Sequence, residues 1–413
     1  MKLIGTIRLG GDKSISHRVL MFGALISNKS TFKNISVCDD VKTTIQILKQ
    51  CNISIEQDKN IVKMIGGTLS APQKKLDIRN SGTTMRLMLG LLAGQNIGAE
   101  FIGDSSLSKR PMKRIIKPLL DAGANIKSNN NYLPIEISRG IIHPINFIKK
   151  TKSAQVKSSL IFAGLGNKNE SKIYYNKFTR DHSENLLKYM GKDVVGDNSL
   201  LVKKNNFMKG LDIEVPGDIS NASFIIAAGL LLKDSNINIK DVLYNNLRNG
   251  FLDTVKRMGA NIEVRNIRYC YGENICDLVI RYSPNLKNVK ITKTQIITMI
   301  DEIPILVVLA TQAKGKLIID DASELRIKES DRINALCSNL IKMDADIEET
   351  SNGLIIRGGK KLYSTTINDF GDHRIAMSFF VLNLYLNNNL NRQSEISNIS
   401  FPEFHSLLRK LSI

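Results

Sequence analysis

Lys13 and Ser14 follow a Gly10-Gly11 turn and stand directly before an apolar helical run at 19–26. A cation, a hydroxyl and unpaired backbone N–H groups at one helix start make an anion site. The register of a nucleotide-binding phosphate loop is not met, because Gly11 is followed by Asp12 rather than lysine. The same construction recurs. Asn80, Ser81, Gly82, Thr83, Thr84 and Arg86 precede an apolar run at 87–93, and Ser153, Ala154, Gln155 and Lys157 precede one at 160–165. Gly217 to Asn221 precede a third at 224–232. Each alone reads as a helix cap; together, and alongside Arg18, Arg110, Arg332 and Arg374, they point to an anionic substrate. Carboxylates join them in the C-terminal half. Asp301 and Glu302 begin a very apolar helix, and Arg326 to Arg332 open another, placing Lys328 and Arg332 on one face with Glu329 beside it. Asp372, His373 and Arg374 precede a further apolar run at 375–382. Cations to bind and carboxylates to move protons suit proton transfer on an anion.

The elements that must position these residues show their own periodicity. A helix end, a residue tolerant of the left-handed region and an apolar strand start recur around Asn52, Gly123, Gly191, Gly259 and Asp344, about 70 to 85 residues apart. The strand starts that follow are Ile55, Ile126, Val194, Ile262 and Ile347. A final helix is expected at 404–411, which makes six units. Short β-branched stretches flank the helices, so each unit reads as a mixed βαβ-type module. Six modules suggest two lobes of three, crossing at Gly10-Gly11 and at Pro216-Gly217-Asp218.

At 413 residues, 42% hydrophobic and 23% charged, the chain is that of a soluble globular protein with a large core. No apolar run reaches membrane-spanning length, and the first residues lack the apolar stretch of a signal peptide. The five cysteines form no paired motif and read as reduced thiols in a cytoplasmic protein. A formal charge of +19 is compatible with nucleic acid, anionic lipid or small acidic substrates. Lys and Arg are dispersed, however, and only 6% of residues are aromatic, which argues against a nucleic-acid-binding protein.

Taken in order, ten segments resemble the 5-enolpyruvylshikimate-3-phosphate synthase family. They are GDKSISHR (11–18), NSGTTMR (80–86), KRPM (109–112), SAQVKSS (153–159), TRDH (179–182), PGDISNASF (216–224), DEIP (301–304), RIKESDR (326–332), GDHRIAM (371–377) and SFPEF (400–404). The resemblance implies an α/β (α+β) fold of two lobes, each of three βαβαββ-type units. Residues 11–216 would form the lobe on the shikimate 3-phosphate side. Residues 1–10 with 217–413 would form the lobe carrying the proton-transfer carboxylates, with the active site in the cleft between. It implies transfer of the enolpyruvyl group of phosphoenolpyruvate to the 5-hydroxyl of shikimate 3-phosphate, by addition and elimination through a tetrahedral intermediate. No metal and no organic cofactor are expected. A monomer acting on small molecules, without nucleic acid or membrane, is expected as well.

Carried over motif by motif, Lys13, Asp301 and Glu329 are the catalytic residues. Asp301 orders the 5-hydroxyl and acts as base, while Glu329 protonates the methylene carbon. Shikimate 3-phosphate falls to Lys13, Ser14, Arg18, Ser153, Ala154, Gln155, Thr179, Asp301 and Lys328. Phosphoenolpyruvate falls to Lys13, Gly82, Arg110, Gln155, Lys328, Arg332 and Arg374. His17 reads as a helix-start hydrogen-bonding residue rather than an acid or base. Gly82 keeps the site small, so binding of the family inhibitor glyphosate is expected. The chain departs from the family pattern at Ile399, where many members carry a lysine, at Glu324 in place of Asn, and at Thr179 and His182 in place of Ser and Tyr. The sister transferase acting on UDP-N-acetylglucosamine usually presents a cysteine on a mobile loop, and the comparable loop at 103–111 has none.

Overall fold

The computed structural model describes residues 1–192, 198–204, 209–390 and 394–413. The recurring junctions are one physical device. The helices Asp39–Gln50, Lys113–Asp121, His182–Tyr189, Gly250–Arg257 and Arg332–Lys342 each stop two residues before Asn52, Gly123, Gly191, Gly259 and Asp344. Those five residues have φ of 68°, 89°, 75°, 93° and 69°. In every case the next N–H reaches back to the carbonyl of the apolar residue five positions earlier: Ile53 to Leu48, Ala124 to Leu119, Lys192 to Leu187, Ala260 to Val255 and Ala345 to Leu340, at 2.9 to 3.1 Å. This is the Schellman closure, which satisfies carbonyls left over at a helix end and turns the chain sharply. Four of the five junctions lead into the strands Ser54–Asp58, Asn125–Asn129, Asn261–Cys270 and Asp346–Thr350. The strand start expected at Val194 lies outside the described residues.

The chain divides into two compact units, Gly11–Val215 and a split unit of Met1–Gly10 with Pro216–Ile413. Three four-stranded sheets share one topology, a parallel pair followed by two antiparallel joins. In the first unit Asp212–Glu214 runs parallel to Lys29–Lys33, which pairs with Ile61–Ile65 and through it with Ser54–Asp58. Leu76–Asp77, Ala99–Ile102, Tyr132–Ser138 and Asn125–Asn129 repeat the order. In the split unit Ile4–Arg8, Asn236–Leu243, Glu273–Arg281 and Asn261–Cys270 do so again. Two three-stranded sheets carry part of the pattern: Asn146–Thr151 with Ser171–Tyr175 and Ser199–Val202, and Gly315–Ile319 with Gly353–Gly358 and Asp346–Thr350. The sixth module contributes the helices His373–Asn387 and Phe404–Leu411 and, among the described residues, no sheet.

Alternation sets the inner face of each sheet. Along Tyr132–Ser138, Leu133, Ile135 and Ile137 are buried while Tyr132, Pro134 and Glu136 face out. Against these faces each unit buries three central helices. In the first unit they are Lys13–Gly23, Gly82–Gly94 and Ala154–Gly164; in the split unit, Ile219–Leu231, Ile303–Gln312 and His373–Asn387. All thirteen residues of Ile219–Leu231 are buried. A helix apolar on every side is at home only in such a central position. Among the described residues no helix is long and apolar enough to cross a membrane.

Gly82–Gly94 and Ala154–Gly164 approach closely because glycine lines their contact. A Cβ on Gly90 would stand 2.1 Å from the carbonyl oxygen of Ser159, and one on Gly94 would stand 2.6 Å from that of Ala163. Backbone cannot yield as a side chain can, so the helices must separate. Gly90→Ala is expected to lower the unfolding free energy by about 1–3 kcal/mol, despite alanine's better helix propensity. Urea unfolding checks this, and an unchanged or raised midpoint contradicts the packing.

Candidate active site

Five of the six central helices begin on a residue whose side chain caps them, Ile303–Gln312 being the exception, and the site residues stand at the helix starts. In the first unit Asp12 Oδ1 accepts from the Ile15 N–H at 2.9 Å, which leaves Lys13 and Ser14 in the first turn. Lys13 Nζ pairs with Asp40 Oδ2 at 3.0 Å. Arg18, one turn on, donates from Nη1 to the Ser14 carbonyl at 2.8 Å, from Nε to Ser183 Oγ at 2.9 Å and from Nη2 to Ser158 Oγ at 2.8 Å. Ser81 caps Gly82–Gly94 by accepting from Thr84 N, and Ser153 caps Ala154–Gly164 by accepting from Val156 N.

Side chains tie these three helix starts together. Gln155 Oε1 accepts from Arg86 Nη1 at 2.9 Å, while its Nε2 donates to Thr83 Oγ1 at 2.9 Å. His17 Nδ1 meets Thr44 Oγ1 at 2.7 Å, Thr44 meets Thr84 at 2.8 Å, and Thr84 meets Ser81 at 2.6 Å. Arg110 Nη2 donates to Asn80 Oδ1 at 2.6 Å and to Ser106 Oγ at 3.2 Å. A Cβ on Gly82 would lie 2.7 Å from Arg86 Nη1 and 3.5 Å from Arg110 Nη1, so glycine here leaves both guanidiniums where they stand. Burial pulls the His17 ring well below the usual histidine range, and the charges of Lys13 and Arg18 pull the same way. The imidazole is therefore neutral near pH 7 and serves the hydrogen-bond chain, as its place at a helix start suggests.

Thr179 is placed differently. It is buried, its hydroxyl donates to the Thr151 carbonyl at 3.1 Å, and its own carbonyl accepts from Lys157 Nζ at 3.2 Å. Of the other departures from the family pattern, His182 is buried at the first position of its helix, and Glu324 is exposed in the 3-10 turn Ser323–Ile327. Ile399 ends the 3-10 turn Glu395–Ile399, and the next residue, Ser400, accepts at its carbonyl from Asn221 Nδ2 at 3.2 Å.

In the split unit the charged residues gather at the starts of Ile303–Gln312 and His373–Asn387. Lys328 Nζ and Arg332 Nη1 each stand 3.6 Å from Asp301 Oδ1, and Arg374 Nη1 donates to the Asp301 carbonyl at 3.0 Å. Arg332 is buried; its Nε donates to Asp372 Oδ2 and its Nη2 to Glu329 Oε2, both at 2.7 Å. Nη1 has no hydrogen-bond partner among the described residues. Asp372 also caps His373–Asn387 through the Arg374 N–H, and it accepts from Ser330 Oγ at 3.1 Å. Burial draws the Lys328 ammonium below the usual lysine value, and the Asp301 charge opposes it. Burial lowers and the carboxylates raise Arg332; the carboxylates prevail, so it remains a cation throughout. Beneath Asp301, Glu302 is buried and accepts from Ser220 Oγ, which in turn accepts from Arg248 Nη2 at 3.0 Å.

One expectation needs correction. Lys328 and Arg332 do not share a helix face, because the helix opens at Arg332 with Asp331 as its cap, accepting from Asn334 N at 3.0 Å. Residues 323–327 form a 3-10 turn, and Lys328 has ψ of −149°, outside the helical region. The capping aspartate stops helical geometry from extending backward, and Lys328 reaches Asp301 from an irregular segment instead. The sequence pattern gives no sign of Asp40, which lies outside every segment singled out and meets Lys13 only through the fold; Asn80, Arg86 and Asp372 lie in the named segments but are assigned there to neither substrate. The thiols offer no nucleophile in the loop at 103–111. All five cysteines are free, and burial pushes Cys38 and Cys51 up to about 11 and Cys276 and Cys337 up to about 12.

Arginines beside three joined helix starts can bind anions, and carboxylates interleaved with cations can move protons on what is bound. The family model described as EPSP synthase (3-phosphoshikimate 1-carboxyvinyltransferase) matches residues 1–408. The chain belongs to the EPSP synthase family. Relatives named 3-phosphoshikimate 1-carboxyvinyltransferase include one from Persephonella marina, 39% identical, and one from Oceanobacillus iheyensis, 41% identical; each alignment covers 99% of this chain and 97% of the relative. Among solved structures, EPSP synthase from Acinetobacter baumannii superposes with a TM-score of 0.84 at 34% identity, over 99% of this chain and 96% of that one. The enolpyruvyl transferase NikO from Streptomyces tendae, 14% identical, superposes with a TM-score of 0.78 over 99% of this chain and 95% of its own, a likeness of fold. The mixed α/β architecture is thus that of the EPSP synthase family.

The Arg332–Asp372 pair gives a pH test. Burial raises the Asp372 carboxyl, but the Arg332 charge and hydrogen bonds outweigh it and hold the group below 3.8. A depressed carboxylate contributes stability above its unfolded value, and loses it as pH falls through the folded one. Asp372→Asn, which leaves Arg332 buried beside Glu329 and Asp301, is expected to cost on the order of 3–5 kcal/mol at neutral pH. The gap from the parent protein narrows below about pH 3.9. Urea midpoints across that range check this; a gap constant with pH contradicts it.

Proposed function

We propose that this protein catalyses transfer of the enolpyruvyl group of phosphoenolpyruvate to the 5-hydroxyl of shikimate 3-phosphate, with release of phosphate. The observation that carries the reading is the joining of three helix starts around Lys13, Arg18, Arg86, Arg110 and Gln155, in a chain matched by the EPSP synthase family over residues 1–408. Both substrates are polyanions, and fixed guanidiniums and helix N–H groups recognise phosphate and carboxylate without reorganising.

In this reading Ser14 and Arg18 take the phosphate of shikimate 3-phosphate, with Ser153, Ala154 and Gln155 at the neighbouring helix start. Thr179 contributes through the loop it anchors. Lys13 touches both substrates. Phosphoenolpyruvate falls to Gly82, Arg110, Gln155, Lys328, Arg332 and Arg374, with Arg332 Nη1 as one donor awaiting an acceptor. In the addition step the 5-oxygen bonds to C2 of phosphoenolpyruvate as its proton passes to Asp301, and C3 receives a proton from Glu329. In the elimination step the bond from C2 to the phosphate oxygen breaks with its electron pair on oxygen, C3 returns a proton to the Glu329 carboxylate as the C2–C3 double bond re-forms, and phosphate leaves. The cytoplasm, a monomeric state and the absence of a nucleic-acid partner belong to the same proposal, supported by free thiols and by lysines and arginines dispersed along the chain.

Phosphate release with phosphoenolpyruvate, measured with shikimate 3-phosphate and separately with UDP-N-acetylglucosamine, tests the reading. Release is expected with the first acceptor alone; release with the sugar nucleotide, or with neither, overturns it. Asp301→Asn and Glu329→Gln are each expected to lower kcat by about two orders of magnitude or more with small changes in KM, as for groups acting in the transition state. Unchanged turnover removes that residue from the mechanism. The lowered Lys328 ammonium places an alkaline limb below pH 10.5 in the kcat/KM for phosphoenolpyruvate. Lys328→Arg, charged at every accessible pH, is expected to move that limb upward; a limb that stays in place belongs to another group.

A further inference from the structure

Two residues beyond Gln155, on the same helix, lies a cation that the site has not used. Lys157 is wholly buried and forms an ion pair with Glu184, buried in the first turn of His182–Tyr189. Its Nζ also donates to the Thr179 carbonyl at 3.2 Å and lies 4.2 Å from the centre of the Tyr175 ring. Glu184 depends on this one cation: its Oε2 has no hydrogen-bond partner among the described residues.

A second link stands directly beside the first. Ser158 and Ser183 meet hydroxyl to hydroxyl at 2.8 Å, and Arg18 is fastened to both. Residues 157 and 158 of one helix thus meet 184 and 183 of the other as adjacent rungs. One rung is ionic; the other fixes the plane of the Arg18 guanidinium. Any change in helix separation at the ionic rung passes to the two hydroxyls, and any tilt of Lys157 passes to Thr179. Stability does not account for the ionic rung, since a buried ion pair gains little or nothing over an apolar pair of the same volume. What it supplies is a fixed length and direction.

We propose that Lys157 and Glu184 are positioning residues for acceptor binding: the pair sets the spacing of Ala154–Gly164 and His182–Tyr189 so that Arg18 and the Thr179 loop meet the acceptor's phosphate. The role rests on the placement of that phosphate at Ser14 and Arg18. Neither residue touches substrate.

The test is a KM split. Lys157→Met/Glu184→Leu removes both charges and keeps the volume. The double variant is expected to raise KM for shikimate 3-phosphate about tenfold to a hundredfold while KM for phosphoenolpyruvate and kcat stay within about threefold. Lys157→Arg, which keeps the ion pair, is expected to recover most of the loss. An unchanged acceptor KM in the folded double variant overturns the proposal, as do equal rises in both KM values with a fall in Tm. Should the double variant not fold, Glu184→Gln, nearly isosteric, is read by the same split. Arg18→Met serves as the reference. If it leaves the acceptor KM unchanged, the placement of the phosphate is wrong; if it raises that KM and the double variant does not, only the positioning role fails.

Discussion

A helix start leaves backbone N–H groups without internal partners, and that constraint governs this molecule. Each unit packs three helices at its centre, and their starts must find partners there. Asp12, Ser81, Ser153, Asp218 and Asp372 each give one side-chain oxygen to the problem, and they satisfy it only in part. The remaining positive potential at these ends is fixed in place by the packing of the helices. The residues proposed to bind substrate stand at these ends, which the architecture makes electropositive before any arginine is added.

The arginines sharpen that potential, and their cost shows in how they are held. Arg18, Arg86 and Arg110 donate to hydroxyl, carbonyl and amide oxygens, which orient each guanidinium. Arg332 is treated otherwise. Buried among Asp372, Glu329 and Asp301, it is the hub that keeps three carboxylates at fixed distances from one another. The first arrangement suits attraction of an anion, the second suits control of where protons reside.

Local chemistry made part of this legible in the sequence. A Schellman closure is written within eight residues, so Asn52, Gly123, Gly191, Gly259 and Asp344 announced the repeat, and each adopts the left-handed backbone that its residue type permits. The caps were equally local. Distance in sequence hid the rest. Lys13 finds Asp40 across 27 residues and Arg18 finds Ser183 across 165, pairings that no motif encodes. The 326–332 segment misled because alternating charge imitates an amphipathic helix, whereas Asp331 is the stronger signal and starts the helix later. Lys157 read as one more charged residue near a helix start, since its partner lies on the next helix, beyond the strand Ser171–Tyr175.

Strand order has a consequence for biosynthesis. The Gly11–Val215 unit closes when Asp212–Glu214 aligns beside Lys29–Lys33, so all its parts exist once residue 215 has left the ribosome. The split unit cannot follow that schedule. Ile4–Arg8 is made first, yet its neighbour Asn236–Leu243 comes more than two hundred residues later, and Leu3 bridges to Ser412 later still. That strand, whose Ile7 belongs to the core, therefore waits, unpaired, while all of the other unit is synthesised behind it. Nascent-chain handling, through whatever shields that strand from other chains, is built into the order of the sheet.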